Sequence, residues 1–151
     1  PGRDRLVAGP RRPHTLPARS SLPTERSSGN IVSWILQSVL ALGFLAAGLV
    51  KVSRPKEQLE KSMSWTADVS GAAVKTLGTL EILAAIGLIL PAATGILPVL
   101  TPLAAIGLVI VMIGAIVVHA RSKDVKTIVL NLVLLLLAAV VAWARFGPYA
   151  L

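Results

Sequence analysis

The sequence contains no cysteine, and this absence excludes several classes of protein. Without a thiol the chain forms no disulfide, no cysteine-ligated zinc site and no iron–sulfur cluster. It also does not fit the quinone-linked disulfide oxidases, which need cysteine pairs. Only two histidines are present, His14 and His119, so a haem held by two histidines of one chain is not expected. We therefore predict no metal site, no catalytic residue and no covalently bound cofactor.

Acidic residues are also few. The chain has 7 of them against 15 lysines and arginines, which gives a formal net charge of +8. A basic excess can indicate nucleic acid, an anionic lipid surface or control of membrane topology. Here the charges flank long apolar runs, and no basic patch alternates with aromatic residues. Topology and contact with lipid headgroups therefore explain the charge, and no nucleic-acid partner is expected.

Long apolar runs make up most of the sequence. The hydrophobic fraction is 54% and the mean hydropathy is +0.76, more than a small soluble domain can bury. These residues form four blocks, each long enough to cross the hydrocarbon core of a bilayer. The sequence therefore predicts an all-α membrane domain over residues 30–151, an up-down-up-down bundle of four transmembrane helices. The predicted spans are 31–50, 74–90, 99–118 and 128–144, with Pro91 ending the second.

Two polar segments flank the first span. Residues 1–29 are rich in proline, arginine and serine and have no helical apolar period, which predicts a disordered basic tail. After the first span, Pro55 precedes the charged segment 56–61, which predicts a short helix lying on the membrane surface. Three residues at the ends of apolar segments are predicted to anchor the chain at the interface: Trp34, Trp65 and Arg145.

The alternating direction of the spans places four polar residues together. The first and third connections share one face of the membrane, here named side B, and the tail, the second connection and the C-terminus share side A. Lys51, Glu81, His119 and Asn131 come from four different spans, and all fall in the half toward side B. An unpaired carboxylate is costly in lipid, so Glu81 is expected to face the bundle interior.

We predict that these four residues form a buried polar cluster. A second interpretation stays open for each of them. Glu81 can be one half of a purely structural ion pair. Lys51 can snorkel to the interface, His119 can be a loop residue, and Asn131 can join neighbouring helices.

Several short motifs resemble one family of small bacterial membrane proteins. They are residues 44–51, with an aromatic, small residues and a terminal lysine; residues 78–91, with glycine, Glu81, glycine and proline; His119; Asn131; and residues 143–148. In this order and spacing they resemble the DoxX family, in its DoxX-like branch. The resemblance covers all four spans and implies a multi-pass protein of the bacterial plasma membrane. It also implies an association with membrane oxidoreductases.

Three functions stay open on this sequence. The first is an accessory or assembly subunit of a membrane complex linked to an oxidoreductase, without catalytic activity of its own. The second is a quinone-binding redox subunit in which Lys51, Glu81 and His119 bind the headgroup. The third is a small proton-coupled transporter. The expected partners are the lipid bilayer and either other subunits or a second copy of the chain.

The orientation in the membrane also stays open. Basic residues in the first and third connections favour side B in the cytoplasm. The arginine-rich tail before the first span favours the opposite orientation.

Overall fold

The described part of the chain is helical throughout. The structure is a computed structural model that describes residues 23–151, and it has no strand within that range. A short 3-10 helix, Ser64–Asp68, lies between the second and third α-helices. The α-helices are α1 (Pro23–Ser53), α2 (Lys56–Ser62), α3 (Gly71–Thr94), α4 (Leu100–Arg121) and α5 (Val125–Phe146).

Four of these helices, α1, α3, α4 and α5, are long and apolar enough to span a bilayer. Neighbours in the chain pack side by side, and α1 also touches α5, so the four helices form a ring in chain order. The centre of the ring is filled by fully buried apolar side chains such as Leu40, Leu88, Leu108 and Val141. Many large apolar side chains face outward instead, as expected where lipid is the solvent. The predicted four-helix membrane bundle is confirmed.

Polar side chains begin two of the spans. The Ser70 hydroxyl accepts a hydrogen bond from the Ala73 amide at 3.1 Å at the start of α3. The Asp124 carboxylate accepts one from the Thr127 amide at 3.2 Å at the start of α5. Each cap satisfies an amide that has no partner within its helix, so both hairpins toward side B have defined ends.

The second span ends one turn later than predicted. Pro91 lies inside α3, which continues to Thr94. A proline removes one backbone donor, and transmembrane helices tolerate this loss where neighbouring groups compensate. The helix ends at Gly95, whose φ of 69° is left-handed and whose amide donates to the Pro91 carbonyl at 3.0 Å. The glycine, and not the proline, is therefore the helix terminator.

The first span begins earlier than predicted. Helix α1 starts at Pro23, so residues 23–29 of the predicted disordered tail are helical, while residues 1–22 lie outside the described residues. Tertiary packing accompanies this extension, because a Cβ at Gly29 would overlap the ring of Tyr149. The C-terminal segment thus lies against the first turns of α1, a contact that no local sequence pattern predicts.

Helices α1 and α3 approach each other closely at two glycines, Gly48 and Gly78. A Cβ at Gly48 would lie 2.5 Å from the Gly78 carbonyl oxygen, and a Cβ at Gly78 would lie 2.8 Å from the Lys51 Cβ. Small residues allow such close backbone contact between membrane helices. The contact lies within one turn of both Lys51 and Glu81, so it positions their side chains.

The Gly48→Ala variant tests this contact. We expect it to lower the free energy of unfolding by about 1–3 kcal/mol, because the obstructing atom is a backbone carbonyl that cannot rotate away. The control is Gly107→Ala in α4, where a Cβ meets nothing within 4 Å. Thermal unfolding of both variants in one detergent gives the comparison. Equal midpoints would show that α1 and α3 are not in close contact at Gly48.

Candidate functional site

Lys51 and Glu81 form a buried ion pair between α1 and α3. The Lys51 Nζ donates to Glu81 Oε1 at 2.9 Å and to Oε2 at 2.7 Å. The two side chains are 9% and 5% exposed. Neither charge is stable alone in an apolar interior, so each requires the other. The structure therefore brings together two of the four residues predicted to cluster.

His119 and Asn131 are buried nearby, but they do not join the ion pair through hydrogen bonds. His119, in the last turn of α4, places its ring edge-on against Trp65, with centroids 6.0 Å apart. Its Nδ1 lies 3.7 Å from an Asp124 carboxylate oxygen, beyond hydrogen-bond distance. Within the described residues, His119 Nδ1 and Asn131 Nδ2 have no hydrogen-bond partner. These two buried polar atoms therefore lack the hydrogen bonds that would offset the cost of their burial.

All four residues line one cavity of about 420 Å³. The four long helices supply most of its wall, and the segment 62–65 covers part of its side B end. The rest of the wall is mainly apolar, with Leu40, Phe44 and Met112 among the lining residues. The volume falls within the usual range for sites that bind small molecules, and few polar groups in an apolar wall are typical of them.

The segment between α1 and α3 lies across the side B end of the bundle. Its helix α2 matches the short helix predicted after Pro55. Leu59 and Thr66 in this segment are buried, at 1% and 0% exposed. Trp65, predicted as an interfacial anchor, is half-buried in the cavity wall beside His119.

Asp124, just outside the spans, supplies a negative charge at the rim of the cavity. It accepts hydrogen bonds from the Thr127 hydroxyl at 2.6 Å and from the Thr127 amide, and these hold the pKa of the Asp124 carboxyl below its ordinary value. The carboxylate therefore stays ionised at neutral pH. A protonated His119 ring would face this charge.

Side A contains a second buried polar group, centred on Arg145. Its Nε donates to Gln37 Oε1 at 2.8 Å, and its Nη1 donates to Asn30 Oδ1 at 2.8 Å and to the Tyr149 carbonyl at 3.1 Å. The guanidinium carbon lies 5.3 Å from the ring centroid of Trp34, in a cation–π contact. Arg145 is 3% exposed, and its side chain points into the bundle. The sequence instead predicts an interfacial anchor directed to the headgroups.

Sequence reasoning missed Gln37 in this group. The signal was present, because Asn30, Trp34 and Gln37 recur at i, i+4 and i+7 along the first span and share one helix face. Because successive spans alternate in direction, that face of the first span lies at the side A end, as Arg145 does. The bundle therefore buries polar side chains at both ends and not at side B alone.

The Lys51→Met variant tests the ion pair. We expect a loss of about 3–5 kcal/mol in unfolding free energy, because the substitution leaves the buried carboxylate of Glu81 without a partner. The double variant Lys51→Met/Glu81→Leu is expected to recover most of that loss, since no charge then remains buried. Thermal and denaturant unfolding in one detergent measure both effects.

The matched control is Lys56→Met. Lys56 forms an ion pair with Glu60 at the surface, with Lys56 Nζ 3.3 Å from Glu60 Oε1. The substitution removes this pair. Exposed pairs contribute about 0–1 kcal/mol, so little change is expected. If Lys51→Met were as mild as Lys56→Met, the buried pair would not be needed for stability.

Comparison with known families agrees with the resemblance inferred from the motifs. The model of a family described as the DoxX-like family matches residues 35–141, from α1 into α5. This match confirms the family assignment. All four predicted cluster residues lie within the matched segment, whereas Arg145 lies beyond its end. Among curated proteins and among solved structures, no match was found.

Proposed function

This chain belongs to the DoxX-like family, and from that premise we propose that it is a membrane subunit that binds a lipid-soluble molecule of the quinone class in its side B cavity. One observation carries the proposal. The cavity has a volume of about 420 Å³ and a largely apolar wall. Four helices each supply one polar group to it, from Lys51, Glu81, His119 and Asn131. This combination suits a molecule with a flat apolar body and a few hydrogen-bonding atoms.

The unpartnered polar atoms favour a ligand that accepts hydrogen bonds. Asn131 Nδ2 is a donor without a partner within the described residues, and a buried donor in that state is costly. A quinone carbonyl oxygen would satisfy it. Lys51 donates two hydrogen bonds to Glu81, and its third N–H would be able to donate to a headgroup oxygen. His119 and Glu81 are groups that can take up and release protons.

The proposal also assigns the chain an accessory role. The full sequence has no cysteine, so it lacks the usual ligands of an iron–sulfur cluster. Electrons for a bound quinone would therefore come from another subunit of a membrane oxidoreductase complex. The family resemblance to proteins associated with such complexes supports this role. The cavity would then hold the quinone, while the partner carries the redox chemistry.

Tryptophan fluorescence tests binding. In the variant Trp34→Phe/Trp143→Phe, Trp65 is the remaining tryptophan, and it lies in the cavity wall. We expect decylubiquinone to quench its emission saturably. Adding Asn131→Leu is expected to weaken binding by about threefold to tenfold, because one hydrogen bond to the headgroup is lost.

The control for that substitution is Thr79→Val. It removes an exposed hydroxyl of α3 that bonds to the Lys75 carbonyl and does not line the cavity. Its quenching curve is expected to match that of the parent. Quenching that fails to saturate, or an unchanged affinity in a folded Asn131→Leu variant, would contradict quinone binding at this site.

Turnover measurements test the accessory role. We expect the purified chain in liposomes, supplied with decylubiquinone and NADH, to leave the NADH absorbance unchanged, because the electron donor to the quinone is a separate subunit. The same mixture with an added purified NADH–quinone reductase serves as the positive control. Sustained NADH oxidation by the chain alone would refute a purely accessory role.

A further inference from the structure

The cavity reaches the outer surface of the bundle between α1 and α5. Five of its lining residues are exposed: Ser62 and Ser64 in the segment at side B, Val39 and Gly43 on α1, and Leu130 on α5. The last three lie on the long helices. Val39 is 60% exposed and Leu130 is 57% exposed. A residue that both lines a cavity and is largely exposed marks the rim of an opening. The rim of this opening is therefore formed by two helices that face each other.

The packing of the bundle explains why the opening lies at this seam. Among neighbouring helices in the ring, α1 and α5 touch each other least. At side A they are joined by Arg145, which bonds to Gln37 and Asn30. Toward side B, cavity residues of both helices lie between them. The two helices are thus held together at one end and stand apart at the other.

The depth of the opening places it in the hydrocarbon region. Gly43 and Val39 precede Lys51 by two and three helical turns, about 12 and 18 Å along the axis at 1.5 Å per residue. Lys51 lies in the last turn of α1, near the side B interface. At side B itself, the segment 62–65 covers part of the cavity. Val39 and Gly43 consequently lie at the depth of the lipid tails.

We infer that the ligand enters the cavity sideways from the lipid, through the opening between α1 and α5, and that it carries an apolar tail that stays in this opening. The inference rests on the proposed function and specifies its ligand class, a tailed membrane lipid such as an isoprenoid quinone. The headgroup lies at the polar end, near Asn131 and the Lys51–Glu81 pair. The tail runs past Gly43 into the bilayer, so the ligand never crosses water.

Gly43 provides a direct way to close the opening. A Cβ at this position meets nothing within 4 Å, so the backbone at Gly43 accepts a side chain, and the ring of Gly43→Phe would occupy the rim. We expect this variant to weaken decylubiquinone binding, measured by quenching of Trp65, by at least about tenfold. The matched control is Gly107→Phe on α4, where a Cβ also meets nothing within 4 Å and which does not line the cavity.

A second measurement locates the tail. Because the sequence has no cysteine, a nitroxide can be attached at Leu130→Cys alone, with Leu132→Cys on the same helix as control. Leu132 is 47% exposed and lies outside the cavity lining. In liposomes, decylubiquinone is expected to broaden the electron paramagnetic resonance spectrum of the nitroxide at residue 130, because the tail restricts its motion. No broadening is expected at residue 132. The tail-free dimethoxy-methyl-benzoquinone is expected to broaden neither.

The outcomes separate this inference from the function on which it rests. If the parent binds decylubiquinone and a folded Gly43→Phe variant binds it equally well, entry is not through this opening, and quinone binding still stands. If the tail-free quinone broadens the spectrum at residue 130 as strongly as decylubiquinone does, the tail does not occupy the opening. If the parent shows no saturable quenching, the proposed function itself is refuted.

Discussion

The arrangement of the bundle depends on one buried ion pair, that between Lys51 and Glu81. A single charge at this depth is strongly unfavourable, so the two side chains must meet. They meet because Gly48 and Gly78 let the backbones of α1 and α3 come into contact. That contact in turn fixes which faces of the two helices point inward. The cavity wall at side B is a consequence, since its polar residues sit on those faces.

The two ends of the bundle bury charge in different ways. At side B, a lysine is neutralised by a carboxylate. Both ends also contain buried polar atoms without a partner in the described residues. At side A, the guanidinium of Arg145 is held by the neutral oxygens of Gln37 and Asn30 and by the ring of Trp34. The side A group joins α1 to α5, whereas at side B those helices leave space between them. The side A end is therefore bonded across α1 and α5, and the cavity with the ion pair lies at the side B end.

Membership of the DoxX-like family and the four-helix architecture agree, but a bundle of this kind supports many functions. A ligand is therefore indicated by the cavity and not by the fold. An apolar wall, lining residues with unpartnered polar atoms and an exposed rim on two long helices are three separate observations. A tailed lipid with a polar head is one class of molecule that accounts for all three.

The sequence alone determines the number of spans and their approximate positions. It also determines that one half of the bundle contains Lys51, Glu81, His119 and Asn131. Length, hydropathy and alternation of direction are local or additive properties, and they need no knowledge of packing. Tertiary structure decided that Glu81 pairs with Lys51 and not with His119, that Arg145 turns inward to Gln37, and that α3 continues through Pro91 to Gly95. It also decided where α1 and α5 separate. These outcomes depend on the rotation and spacing of the helices, which arise only when all four pack together.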